Sequence, residues 1–366
     1  MKAIANVSRR VALRLLTAVL PLLATGVEAQ QAQTVGPAAR ATEIRISSEP
    51  GVVLAGTLYL PKGQSRGPYP VAVLITGHGP GGRGAYSEII KRLTADGIAA
   101  LEYDKRGTGQ STGTFEEDSY RLAADAAAAV AAMRRRPDIV GSRIALVGHS
   151  GGGVIAPAVA AADPKIAAVV TLAGNVGDGL PYVRNGIYRQ VVKMTGSGHE
   201  AAAGVAVDAV MALLQARVDS KDAETITRLR ASVVDRFEAA GFPRAQAEQA
   251  LAMIDVPEAW KASKFRSASD LKALHIPVLA IYGTKDPMAL DDAPAARAAL
   301  ASNRRARIVM LDGLGHSFQE GEVTGLPNQV SNLGPYLGSP RLVTLVGDWL
   351  RDTLLTKRAN GLGQAR

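Results

Sequence analysis

The chain has 366 residues, 47% hydrophobic and 20% charged, with 38 glycines, 19 prolines and no cysteine. That apolar fraction can build a large core and excludes global disorder. The missing cysteine excludes disulfides, a thiol nucleophile, Cys-ligated zinc, iron–sulfur clusters and a lipoprotein anchor. Much of the +9 formal charge sits at the ends: residues 1–29 carry Lys2, Arg9, Arg10 and Arg14 against Glu28, and the last ten carry Lys357, Arg358 and Arg366. No basic run is interleaved with aromatics, so no nucleic-acid partner is expected.

In chain order, the basic N-terminus leads into an apolar run from Leu15 to Leu23 and then Val27-Glu28-Ala29, a small-x-small cleavage pattern. This predicts a signal peptide over 1–29, with Ser8-Arg9-Arg10-Val11-Ala12-Leu13 similar to a twin-arginine signal, and an exported protein, periplasmic or secreted. The run is too short for an anchor, and no second apolar stretch of spanning length is expected. Residues 30–41 read as a flexible leader. Strands are predicted at Thr42–Ser48 and Val52–Leu60, followed by short apolar runs at Val71–Thr76, Ile98–Asp104, Arg143–Val147, Ile166–Ala173, Val278–Tyr282 and Arg307–Leu311. These runs lack alternation, as strands covered on both faces do. Helical patterns at 85–95, 117–135, 152–162, 292–302 and 340–356 lie between or after them. The alternation predicts an α/β fold with a doubly wound, mostly parallel sheet.

Residues 180–270 break that rhythm with helical patterns such as Val207–Val218 and Glu224–Ala240. The expected organisation is a core of 42–179 and 271–356, an inserted helical cap at 180–270 that roofs the pocket, and a basic tail at 357–366.

Two glycine-rich signals compete for function. Gly77-His78-Gly79-Pro80-Gly81-Gly82 fits G-x-G-x-x-G after a strand, with Glu102 placed where a ribose-binding acid belongs, so a flavin- or nicotinamide-binding protein is one alternative. Against it, Arg83-Gly84-Ala85-Tyr86 intervenes before the helix. The other signal, G-x-S-x-G, occurs twice. Gly109-Gln110-Ser111-Thr112-Gly113 sits in polar surroundings and reads as a turn-rich loop. Gly148-His149-Ser150-Gly151-Gly152 runs from a strand straight into an apolar helix, the setting of a nucleophile elbow.

A serine hydroxyl needs a base. Of the five histidines, His149 lies within the elbow, His199 in the cap and His275 at the wrong end of the sheet. His78 belongs to the upstream glycine loop. His316, in Gly313-Leu314-Gly315-His316 after a strand, remains as the base. Asp286, in Gly283-Thr284-Lys285-Asp286-Pro287, is the expected orienting acid, with Asp291, Asp292 and Asp312 as lesser candidates. For the oxyanion, the backbone N–H groups of Gly151 and His78 are expected, with Gly79 as second choice.

The loop Gly77-His78-Gly79-Pro80, the run Tyr103-Asp104-Lys105-Arg106-Gly107-Thr108-Gly109-Gln110-Ser111, the elbow, Gly283-Thr284-Lys285-Asp286 and Gly315-His316-Ser317-Phe318-Gln319 together resemble the α/β-hydrolase superfamily. The resemblance is in particular to bacterial serine esterases and peptidase-like hydrolases. It implies that Arg106 and Ser111 are structural, and it spans esterases, thioesterases and aminopeptidases. Gly151 departs from the Glu or Gln frequent at that position in relatives. The expected activity is a carboxylesterase-like serine hydrolase acting on a small-molecule ester, with no cofactor, no metal site and no stable membrane anchor. Aminopeptidase-like or thioester hydrolysis on the same triad is the alternative within the class, and a non-catalytic binding protein the one outside it.

Overall fold

The computed structural model describes residues 39–63, 67–196, 198–255, 264, 266–321 and 335–356. The expected signal peptide, residues 30–38 of the expected leader and the basic tail lie outside the described residues. The described chain forms two compact units, residues 39–176 with 270–356 and Gly177–Ser269.

The first unit is built on an eight-stranded sheet. Its strands are β1 (Ala39–Ser47), β2 (Val53–Pro61), β3 (Tyr69–Ile75), β4 (Ala99–Tyr103), β5 (Ile139–His149), β6 (Ala168–Leu172), β7 (Val278–Gly283) and β8 (Ala306–Leu311), in the order β1-β2-β4-β3-β5-β6-β7-β8. β1–β2 and β2–β4 are antiparallel, and every later pair is parallel. Antiparallel pairing lets β1 and β2 connect through the short Glu49–Val52 turn, whereas each parallel step requires a crossover. Residues 39–41, assigned to the leader by composition, are in β1, where Ala39 to Ala41 pair with Pro61 to Tyr59. Alanine and arginine there have little strand preference, and pairing against β2 overrides it.

The crossovers are α1 (Ser87–Ala95), α2 (Ser119–Arg134), α3 (Gly152–Ala162) and α9 (Ala289–Ala299); the short α8 (Ser267–Lys272) precedes β7, and α10 (Pro340–Leu354) closes the unit. Alternation along each strand divides its side chains between two faces. Ala72 and Leu74 of β3, Ala145 and Val147 of β5 and Leu279 and Ile281 of β7 join Ile89, Ile90 and Leu93 of α1 and Leu342, Val346 and Leu350 of α10 in one core. Val71, Val73 and Ile75 are equally buried and alternate with that set, on the side taken by α2 and α3. Covering both faces is what makes β3 to β7 read as unbroken apolar runs.

The second unit holds α4 (Gly179–Thr195), α5 (Glu200–Val218), α6 (Ala223–Ala239) and α7 (Arg244–Ile254). α5 is a 19-residue helix of mean hydropathy 1.5, long and apolar enough by composition to cross a membrane. This corrects the expectation that no such stretch follows the N-terminus. Its Ala203, Ala206, Val207, Val210, Leu213 and Leu214 pack against Val191 of α4, Val233 and Phe237 of α6 and Leu251 of α7. The ends of the unit are tied together: Asp178 bridges Arg266, and its Oδ1 accepts from the amides of Ala268 and Ser269. Adjacent ends cost a host fold little loop-closure entropy, which is how a long insertion is tolerated within a sheet.

The loop after β4 hangs on a buried ion pair. Arg106 donates from Nε to Asp125 Oδ2 at 2.8 Å and from Nη2 to Asp125 Oδ1 at 2.7 Å, and it also pairs with Glu49. Asp125 is fully buried. Removing one partner strands the other charge away from water. Asp125→Ala is therefore expected to lower unfolding free energy by about 3 kcal/mol in urea titration, and the double variant Arg106→Met/Asp125→Leu to lose less than that.

Candidate functional site

β5 delivers Ser150 through a turn that only a particular sequence permits. Ser150 has φ +52°, in the left-handed region. A Cβ on Gly148 would overlap the carbonyl of Gly152, and one on Gly152 would overlap the carbonyl of Ile75. The absent side chains let α3 start directly against the ends of β5 and β3. The Ser150 N–H donates to Leu172 O at 2.8 Å, which pins the turn to β6.

The other two side chains arrive from loops after β7 and β8. Gly283 ends β7, and a Cβ there would overlap Leu314 O, so glycine lets the two loops meet. The Lys285 N–H donates to Leu314 O at 2.9 Å across the same junction. Asp286 is buried, and its Oδ1 accepts from the Met288 N–H at 3.0 Å. Its Oδ2 lies 2.7 Å from His316 Nδ1, and His316 Nε2 lies 3.0 Å from Ser150 Oγ. A carboxylate only accepts, so Nδ1 carries the proton and the Nε2 lone pair faces the serine hydroxyl, which donates to it. The three residues singled out from chain order are thus one continuous hydrogen-bonded chain. Of the lesser candidates, Asp292 is turned elsewhere, holding Asn175 Nδ2 and the Val176 N–H, and Asp312 accepts from Thr284 Oγ1.

The glycine loop after β3 packs directly on the elbow. A Cβ on Gly77 would lie 3.0 Å from Ser150 Cβ, and one on Gly151 would lie 2.7 Å from the His78 ring. Among the described residues, the amides of His78 and Gly151 have no intramolecular acceptor. Gly79, the second choice for an oxyanion donor, is corrected by the structure, because its N–H is already committed to Glu117 Oε2 at 2.6 Å. The dinucleotide alternative also loses its support. The following helix starts only at Ser87, and the Glu102 carboxylate accepts from the amides of Gly84 and Tyr86. Burial raises its pKa to about 7. In the other G-x-S-x-G, at 109–113, Ser111 donates to Asp104 O at 2.6 Å and accepts from the Ala55 N–H, which binds the loop to β2.

Sequence reasoning gave His149 no role, yet it sits beside the base. Its Nε2 lies 2.9 Å from His316 O, and its Nδ1 lies 2.8 Å from the Tyr336 hydroxyl. A carbonyl can only accept, so Nε2 holds the proton and Nδ1 accepts from Tyr336. Burial, followed by the neighbouring His316, pushes the His149 pKa down to about 3. His149 is therefore a neutral strut under the His316 backbone. Its position within the elbow was the only available signal, since Tyr336 lies far along the chain. Because the folded pKa lies below the unfolded value near 6.5, unfolding takes up a proton between the two. That stability is fully present above about pH 6.5 and is lost as pH falls toward about 3. His149→Gln is expected to reduce the stability lost between about pH 6.5 and 5 by on the order of 1–2 kcal/mol, measured by urea titration at both pH values.

Comparison with known proteins adds three likenesses. The chain is 32% identical over 124 residues to thiohydrolase apmlB of Arthrinium phaeospermum, a match covering 33% of this chain and 39% of that protein. It therefore spans about two fifths of that relative. The structure of PA2218 from Pseudomonas aeruginosa aligns with TM-score 0.55 at 16% identity, covering 90% of this chain and 98% of the other. A dienelactone hydrolase-like promiscuous phosphotriesterase, P91, from metagenomic libraries aligns with TM-score 0.51 at 16% identity, covering 86% of this chain and 99% of the other. At such identities the structural likenesses show the fold alone. A family model described as serine aminopeptidase, S33, matches residues 68–322. With that match across most of the sheet and every side chain of the Ser150–His316–Asp286 chain, the protein belongs to the serine aminopeptidase, S33 family of α/β-hydrolases.

Proposed function

We propose that this hydrolase is an exported serine hydrolase that cleaves carboxylic esters through an acyl-enzyme on Ser150. The observation that carries the reading is the hydrogen-bonded chain from Asp286 Oδ2 through His316 to Ser150 Oγ, at 2.7 and 3.0 Å. In the first step Ser150 Oγ attacks the substrate carbonyl carbon while His316 Nε2 takes its proton. The imidazolium so formed is held by Asp286 through Nδ1–H. The amides of Gly151 and His78 receive the carbonyl oxygen as it gains charge, and the start of α3 adds its positive dipole end there. Collapse of the tetrahedral intermediate expels the alcohol, which leaves with the proton from Nε2. Water, deprotonated by the same nitrogen, then hydrolyses the acyl-enzyme and restores Ser150.

Export is supported by the basic, apolar and small-x-small segments of residues 1–29. A thioester is the second substrate class, favoured by the likeness to a protein named as a thiohydrolase. The two classes share every step above and differ in the leaving atom.

A fluorophosphonate probe is expected to label the wild-type protein at Ser150 and to leave Ser150→Ala unlabelled. On p-nitrophenyl esters, Ser150→Ala and His316→Ala are each expected to lose at least about 10⁴-fold in kcat, and Asp286→Asn about 10³–10⁴-fold. Absence of labelling in wild type would remove the nucleophile assignment. Turnover of aminoacyl anilides but of neither esters nor thioesters would replace the substrate class.

A further inference from the structure

Lys105 follows β4 in the loop treated as structural by the resemblance, and its side chain is almost wholly buried. A buried ammonium must find acceptors or give up its proton. Lys105 Nζ donates to the carbonyl of Gly77 and, at 2.9 Å, to that of Gly79, and it lies 5.8 Å from the centroid of the Phe115 ring. Burial lowers its pKa to about 8, against the opposing pull of Glu117. The loop that carries it is itself fastened to the glycine loop: the Lys105 N–H and Thr108 Oγ1 both donate to Gly81 O, at 3.2 and 3.1 Å.

The carbonyl of Gly77 and the N–H of His78 belong to one peptide group. That group is trans, so the two point in opposite directions. With the carbonyl turned to Lys105, the His78 N–H is turned away from it. The next peptide is fixed through its other end, by the Gly79 N–H on Glu117. A backbone as permissive as Gly77-His78-Gly79, with Gly79 at φ +85°, would otherwise sample several orientations. A peptide whose carbonyl accepts from a cation is also polarised, and its N–H becomes a stronger donor.

Resting on the hydrolase reading above, we propose that Lys105 is a positioning residue of the reaction, its ammonium clamping the Gly77–His78 peptide so that the His78 N–H is preset for the oxyanion formed at Ser150. The clamp is realised through backbone, so its effect falls on the tetrahedral species, where charge on the carbonyl oxygen is greatest, more than on bound substrate. Preorganisation of this kind removes the cost of orienting the donor during the reaction.

The test compares wild type, Lys105→Met and Lys105→Gln in full-length protein, using a p-nitrophenyl ester and an arylboronic acid as a tetrahedral mimic. Wild type must first turn over the ester and label with a fluorophosphonate; if it does neither, the hydrolase reading fails before Lys105 is judged. Lys105→Met is expected to lose about ten- to a hundredfold in kcat and a similar factor in boronate affinity, with KM within about threefold. Lys105→Gln, which keeps an N–H donor without charge, is expected to fall between the two. With wild type active, a Lys105→Met enzyme within about twofold of wild-type kcat overturns the proposal. So does a KM rise at constant kcat, or loss of the fold in both variants, since either gives Lys105 a role other than presetting the donor.

Discussion

The approach of α3 to the ends of β5 and β3 leaves no room for a side chain at Gly148 or Gly152, and nearly everything about the site follows from that closeness. With the helix start pressed against the strand, the connecting residue has only a left-handed backbone conformation open to it, and Ser150 occupies it at a cost of about 1–3 kcal/mol that the surrounding packing must offset. The same closeness puts the first helical amides beside the hydroxyl and brings the glycine loop after β3 into contact with Ser150 and Gly151. A single steric constraint thus places nucleophile, donor and helix dipole together through backbone packing alone.

The partners of the hydroxyl depend on a second close approach of the same kind. Gly283 allows the loops after β7 and β8 to meet, and their backbone bonds fix Asp286 and His316 relative to each other. His149 and Tyr336 then support the His316 backbone from beneath. Each imidazole turns one ring N–H to an acceptor-only group, the Asp286 carboxylate for His316 and the His316 carbonyl for His149. This fixes both imidazole tautomers without appeal to pH.

The sheet was legible because buried parallel strands write themselves as short apolar runs, and the elbow because G-x-S-x-G between such a run and an apolar helix has one physical reading. The order Ser150, Asp286, His316 was legible for a related reason: all three follow strands that end at the same edge. Strand ends were less so. β5 begins at Ile139, before Arg143, because it pairs with Tyr69 across an irregular register that no local pattern encodes. Within the expected helical segment, α4 and α7 were not delimited one by one, because their apolar positions answer to neighbours within the helical unit. Lys105, Glu117 and Tyr336 escaped notice because their partners are backbone atoms or a distant ring, and backbone partners leave no mark in a sequence.

The three members of the hydrogen-bonded chain are far apart along the polypeptide. Ser150 and His316 are 166 residues apart, and His316 and Asp286 are 30 apart. A nascent chain complete only through β6 already holds the elbow and the glycine loop, yet it possesses neither the base nor the acid. Only when β7 and β8 join the far side of the sheet does the hydroxyl acquire its partners. The reactive group is therefore a property of the completed sheet, and a chain truncated before β7 carries a serine with neither base nor acid.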